Sequence, residues 1–228
     1  MAADAPNWLF SLFAFTGFIL ASIPFSWHLQ CNQVTFYFHH LLTDPFCILA
    51  WNTGTCLYMA WTALGCLNGF INSIVWNGNA INWAPVWCDI CKWPLNQTIL
   101  DLCLIHLISA TRFIIGLSVA IPAASLCINR RLYIIASVRT VTVSKAEKRR
   151  AIMVDLAIGL GIPLLEMILQ YIVQGHRFNI FEDVGCYPAT WNTTPAYPLV
   201  FCWPVAIGLV SAVYCCESHI TIWCWATV

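Results

Sequence analysis

Charge is what this 228-residue sequence has least of: Asp, Glu, Lys and Arg together make up 9% of it, against about a quarter in a water-facing domain. That shortage excludes a soluble surface over most of the chain. The mean hydropathy of +0.75 and the 60% hydrophobic content make lipid the solvent instead. The formal net charge is +0, so bulk electrostatics select neither nucleic acid nor an acidic substrate. Catalytic hallmarks are absent as well: no nucleophile with a plausible base, no phosphate-cradling glycine loop and no paired carboxylates stand out. Cys88-Asp89-Ile90-Cys91 is a lone CxxC without a second pair or a spaced HxxxH, and His39, His40 and His106 lack ligand spacing. No metal, cofactor or enzymatic activity is expected. The first apolar run has no basic segment before it and reads as a span, not a cleaved signal. Without internal repeats or low-complexity linkers, the chain reads as one membrane domain.

What is present is a series of apolar runs near the roughly 20 residues needed to cross a hydrocarbon core of about 30 Å. Five spans are expected: Trp8 to Phe25, Thr53 to Trp76, Phe113 to Ile135, Ile152 to Val173 and Leu199 to Tyr214. Pro122, Pro163 and Pro204 fall inside the last three, as suits helices bent around a cavity. Trp8, Trp27, Trp76, Trp83, Trp87, Trp191, Tyr197 and Trp203 stand near the ends of these runs, where interfacial belts put amphipathic rings. Seven of the ten Lys and Arg lie between Arg130 and Arg150. Read as one cytoplasmic loop, that cluster puts the N-terminus outside and makes Gly175 to Pro198 an extracellular loop. The Asn192-Thr193-Thr194 glycosylation sequon and the acidic Glu182 and Asp183 agree with this placement. Most of the thirteen cysteines sit singly in apolar runs, where cysteine behaves as a small hydrophobe.

Several residues are candidates for function. Asp155 and Glu166 are eleven positions apart, so about 100° per residue returns them to nearly one helix face. Asp155 either has a role or merely reaches headgroup water. Glu166, with Gln170 one turn on, is either a ligand or switch residue or part of helix packing. Asn68 and Asn72, four apart, read as amides that glue helices. Cys88 and Cys186 share an oxidising compartment, which permits a disulfide; Cys186 free or paired elsewhere is the alternative. Lys145, Lys148, Arg149 and Arg150 directly precede a span and either mark orientation or extend that helix as a basic face for an acidic partner.

Longer words carry a resemblance. Trp51-Asn52-Thr53-Gly54-Thr55-Cys56-Leu57-Tyr58-Met59, Phe70-Ile71-Asn72-Ser73-Ile74-Val75-Trp76, Ile121-Pro122-Ala123-Ala124-Ser125-Leu126-Cys127-Ile128-Asn129-Arg130-Arg131-Leu132-Tyr133 and the run from Gln174 to Pro188 come in this order. Together they resemble the fungal receptors for lipidated peptide pheromones, the class D G-protein-coupled receptors of the B mating-type locus of mushroom-forming fungi. The resemblance implies an all-α, multi-pass bundle in the plasma membrane. It implies a prenylated peptide pheromone as ligand at the outer face and a heterotrimeric G protein at the inner one. Arg130, Arg131, Lys145, Lys148, Arg149 and Arg150 would then face the G protein, and Glu182 and Asp183 would meet basic residues of the peptide.

Three departures from the family pattern stand out. Inserts near 31–49 and 91–109 interrupt otherwise continuous family words, and beyond Cys215 the residues 216–228 replace a third cytoplasmic loop and two further helices. Cys91-Lys92 and Cys216-Glu217-Ser218 can be encoded with splice-donor-like sequences, so residues 1–215 are expected to be an incomplete receptor domain carrying retained introns. A transporter or channel fragment, or a non-signalling membrane protein, is the alternative; a transporter would call for an inverted repeat.

Overall fold

The computed structural model describes residues 7–30, 52–88, 109–137 and 145–226, and its architecture is a bundle of long helices. The insert expected near 31–49 lies outside the described residues, as does all but Ser109 of that near 91–109.

Helix α1 is Asn7–Gln30 and α2 is Thr53–Val75. Asn52 caps α2 by accepting the Thr55 N–H at 3.3 Å. A short turn, α3 (Pro85–Cys88), precedes α4 (Ala110–Ser137). Helix α5 (Lys145–Leu156) passes through a π turn (Ala157–Gly161) into α6 (Ile162–Leu169) and a 3₁₀ turn (Gln170–Val173). The antiparallel hairpin β1 (Asn179–Phe181) and β2 (Gly185–Tyr187) follows, with Ile180 opposite Cys186. A second π turn (Tyr197–Phe201) leads into α7 (Cys202–Ala226).

Among the described residues, four helical segments are long and apolar enough to cross a membrane: Asn7–Ser26, Ala110–Ser137, Arg149–Val173 and Tyr197–Thr221. The expected fifth crossing, α2, has 23 residues, about 35 Å of helix. Its Thr, Asn and Ser residues make it less apolar, and they are used for packing. Ser73 meets Ser11 of α1 at 2.8 Å, and Asn72 accepts from the Trp87 indole at 2.9 Å. Helix α7 continues past residue 215 without a break.

Helix α4 is the centre of the bundle, touching α2, α6 and α7. Its Ala120 and Ala124 pack with Leu57, Trp61 and Met167, while Val119, Ala123 and Leu126 pack with Ile207. Small residues let the helices approach closely, which is how apolar helices associate where lipid offers no hydrophobic drive. Gly116 shows the closeness, since a Cβ there would run into the Met167 side chain.

The prolines are accommodated by widening and by borrowed donors. Pro163 has no N–H for the carbonyl four residues back, that of Gly159. The chain opens into a π turn at this point, and the buried Trp61 indole donates to the Gly159 carbonyl at 3.0 Å. The second π turn precedes Pro204 in the same way, whereas Pro122 lies inside a continuous α4.

Candidate functional site

The chain's polar features gather at the two ends of the bundle and along one track between α4 and α6. At the hairpin end, Cys88 of α3 and Cys186 of β2 form a disulfide with Cα atoms 5.4 Å apart. Trp76, expected in an interfacial belt, is instead fully buried against this disulfide, with Phe178 and Ile180 beside it. Its ring finds a partner there, the indole N–H donating to the Ile81 carbonyl at 2.9 Å. Gly185 lies against Trp76 and Asn72 at φ +81, a conformation and a space that exclude a side chain. Trp8, Trp83 and Trp191 do remain exposed, as belt residues should.

Asp183 is committed to structure. Its carboxylate accepts from the Gly78 N–H at 2.9 Å, and its own N–H donates to the Trp76 carbonyl at 3.0 Å, so it staples the hairpin to the end of α2. Glu182 is exposed beside it. Asn192 is exposed on the connection to α7, its side-chain oxygen accepting from Tyr197 at 3.0 Å. Replacing Cys88 by Ser should destabilise the protein by about 2–5 kcal/mol, read as a lower unfolding temperature in detergent. Peptide mapping without reductant should recover the Cys88 and Cys186 peptides joined in the parent protein.

The track between α4 and α6 was only half visible in the sequence. Arg112, which the spacing put at a membrane interface, is buried and donates to the side-chain oxygens of both Gln170 and Gln174. Its guanidinium also lies 5.5 Å from the centre of the Tyr171 ring. Glu166, one turn before Gln170, is 1% exposed, and neither carboxylate oxygen has a hydrogen-bond partner among the described residues. The Gln170 amide nitrogen is similarly unpartnered. Positions 166, 170 and 174 therefore form three polar rungs at four-residue spacing, with Arg112 on the upper two and the acidic rung empty. A lone Arg at a span boundary gives no sequence signal of this; what would have found it is the four-residue recurrence of Glu166, Gln170 and Gln174 opposite Arg112.

At the basic end, Asp155 is fully buried and paired with two arginines of α4: Arg130 at 2.6 Å and Arg131 at 3.8 Å. Arg130 also donates to the Ala151 carbonyl at 3.3 Å. Beside this cluster Asn129 donates to the Ser211 hydroxyl at 2.9 Å, so α4 is held to α5 and α7 at one level. Asp155 thus sits in a buried ion cluster, not in headgroup water. Helix α5 begins at Lys145, carrying the basic run on the same continuous segment that forms the span. Arg149 and Arg150 are exposed; the side chains of Lys145 and Lys148 lie outside the described residues. Among the described residues no group of His, Cys, Asp or Glu could hold a metal ion.

A bundle of lipid-length helices with a disulfide-braced hairpin at one end and a buried ion cluster at the other defines an all-α, multi-pass membrane protein. Residues 37–225 match the family model STE3, described as Pheromone A receptor, and the chain belongs to this family of fungal pheromone receptors. It is 50% identical over 206 residues to the Pheromone B alpha 3 receptor of Schizophyllum commune, covering 90% of this chain and 27% of that protein. The Pheromone B alpha 1 receptor of the same species is 50% identical over 198 residues, 87% of this chain and 25% of the relative. Pheromone receptor 1 of Mycosarcoma maydis is 31% identical over 216 residues, 92% of this chain and 48% of the relative. The chain thus spans about a quarter of the length of the Schizophyllum relatives. No solved structure matches it significantly.

Proposed function

We propose that the chain forms the sensing and coupling segment of a G-protein-coupled receptor for a prenylated peptide mating pheromone, placed in the plasma membrane with its N-terminus outside. The hairpin end then faces the peptide, with Glu182 the exposed acidic residue and Asp183 holding its turn. The basic end, built from Arg130, Arg131, Lys145, Lys148, Arg149 and Arg150, faces a heterotrimeric G protein. Asn192 lies on the outer side and is available to glycosylation.

One observation carries this reading: a single helix pair holds both polar stations. Arg112 and Arg130 are eighteen positions apart on α4, about 27 Å of rigid helix. Both grip the segment from α5 to Gln174 that runs back alongside. A helical step of α4 toward the basic end, about 5.4 Å, would bring Arg112 level with the empty Glu166 rung and draw Arg130 off Asp155. Glu166 is then the switch residue, and the two ends are coupled because they share one two-state element. A ligand that braces the hairpin end in the stepped state shifts the population toward an opened basic end.

The test is a chimera in which this chain replaces the matching segment of the Schizophyllum Pheromone B alpha 3 receptor, expressed in a mating-deficient fungal cell. Pathway output on adding a compatible prenylated peptide is expected, together with a glycosidase-sensitive gel shift lost in Asn192→Gln. Surface expression without output to any such peptide would overturn the receptor reading. A missing gel shift with normal output would overturn the assigned use of Asn192.

A further inference from the structure

The face of α5 that carries Arg149 and Arg150 is not the face that holds Asp155. Ala146, Arg149, Arg150 and Met153 recur at i, i+3, i+4 and i+7, one stripe of a helix. At about 100° per residue, Asp155 lies about 200° around from Met153, on the opposite side. Burial agrees: Ile152 and Asp155 are buried, whereas Arg149, Arg150 and Met153 are exposed. The exposed stripe continues along the span as Leu160, Leu164 and Ile168, large apolar side chains directed away from the bundle. Ala146, Arg149, Arg150 and Met153 line a groove of ≈ 530 Å³.

We propose that this groove is a binding site for an anionic phospholipid of the leaflet at the basic end, its headgroup phosphate held between Arg149 and Arg150. Charge complementarity selects the head: guanidinium groups match phosphate oxygens with two parallel hydrogen bonds. Continuity selects the tail, because Met153 and the apolar stripe below it lead from the arginines into the hydrocarbon. An occupant must carry negative charge and an apolar chain along one axis, which a phospholipid does. A soluble acidic protein can cover the arginines but cannot follow the stripe. Basic pockets at this depth take phosphorylated lipid headgroups by such a division of labour.

This site narrows the set placed toward the G protein: Arg149 and Arg150 fix α5 to the bilayer, while Arg130 and Arg131 close the bundle from inside by holding Asp155. The lipid holds the outer face of the same segment whose inner face must release α4 in the proposed step. The site itself stands without that step, and its test uses neither pheromone nor G protein.

The chain is purified in detergent with equimolar phosphatidylcholine and phosphatidylinositol, and bound lipid is read by native mass spectrometry. A preference of about tenfold or more for phosphatidylinositol is expected, weakening as salt rises. Arg149→Gln with Arg150→Gln should bring the two lipids to parity, whereas Arg177→Gln at the hairpin end should leave the preference intact. Should the Gln pair fail to fold, Arg149→Lys with Arg150→Lys keeps the charge and should retain a reduced preference. Equal binding of both lipids to the parent chain, or a preference that survives loss of both arginines, would overturn the site. So would displacement of the lipid by a soluble acidic peptide with the same arginine dependence, since that outcome makes the face a protein dock.

Discussion

Asp155→Asn is expected to raise ligand-independent signalling by about tenfold in the chimeric receptor while surface expression survives. The same cluster cut from the other side, by Arg130→Gln with Arg131→Gln, is expected to lose expression instead. The difference follows from burial. The Asp155 side chain is 1% exposed, and the arginines that meet it are 18% and 22% exposed. Removing both arginines leaves a carboxylate sealed in the bundle without a counter-charge, a defect worth about 3–5 kcal/mol. Removing the carboxylate's charge leaves two guanidinium groups that are already partly exposed, and long basic side chains can extend outward to polar surroundings. The protein therefore stays folded, but the charged pairs that hold α4 to α5 are gone, and only the Arg130 bond to the Ala151 carbonyl, at 3.3 Å, is left there. An ion pair released in this way moves a two-state equilibrium by about 1.4 kcal/mol, or tenfold. The measurements are pathway output without peptide and surface abundance of the tagged receptor. Basal output unchanged in Asp155→Asn at normal abundance would mean that the cluster is architecture and not a latch.

How much of this could be read beforehand depended on the physics behind each feature. The long helices were legible because their apolar runs obey the length of the bilayer core, and Arg130 and Arg131 because charge clusters unevenly along the chain. Asp155 and Glu166 were visible as ionisable residues inside a span. Their partners were not, because an ion pair across two helices depends on which faces meet, and periodicity does not encode that. What Arg112 binds was hidden for the same reason: at the end of an apolar run, an arginine facing headgroups and one buried on two glutamines look identical. Trp76 was misjudged because the belt rule concerns the lipid-facing surface, while this indole turned inward to cover a disulfide. The staple made by Asp183 was hidden too, since an acidic residue in an outer loop reads as a ligand contact until the backbone of Gly78 is seen beneath it. Extension of the fourth crossing by its basic turns was one of the two readings open in the sequence, and it holds because nothing in Lys145 to Leu156 breaks a helix.

Glu166→Leu should make the protein more stable and the receptor silent. Both oxygens of this buried carboxyl lack a donor among the described residues, and a buried group left without partners costs about 1–3 kcal/mol. Leucine removes that cost at similar volume next to Met167, which is already part of the apolar core. The unfolding temperature in detergent should therefore rise by several degrees. The stepped state would lose its only acidic rung, so Arg112 could leave Gln170 and Gln174 only to stand unpaired, and peptide should no longer produce output. Glu166→Gln keeps an acceptor and should retain a weakened response with a smaller gain in stability. A residue kept only for packing would behave differently, since its leucine variant would be stabilised and still signal. A destabilised Glu166→Leu protein would show instead that the carboxyl group has a partner in the resting bundle. The coupling itself is open to measurement, because the two ends share α4. In Asp155→Asn the Arg112 contact should also loosen, so adding Glu166→Leu to Asp155→Asn should return basal output to the parental level. Two independent sites would give the product of their separate effects, whereas one sliding helix makes the inner rung dominant over the released latch.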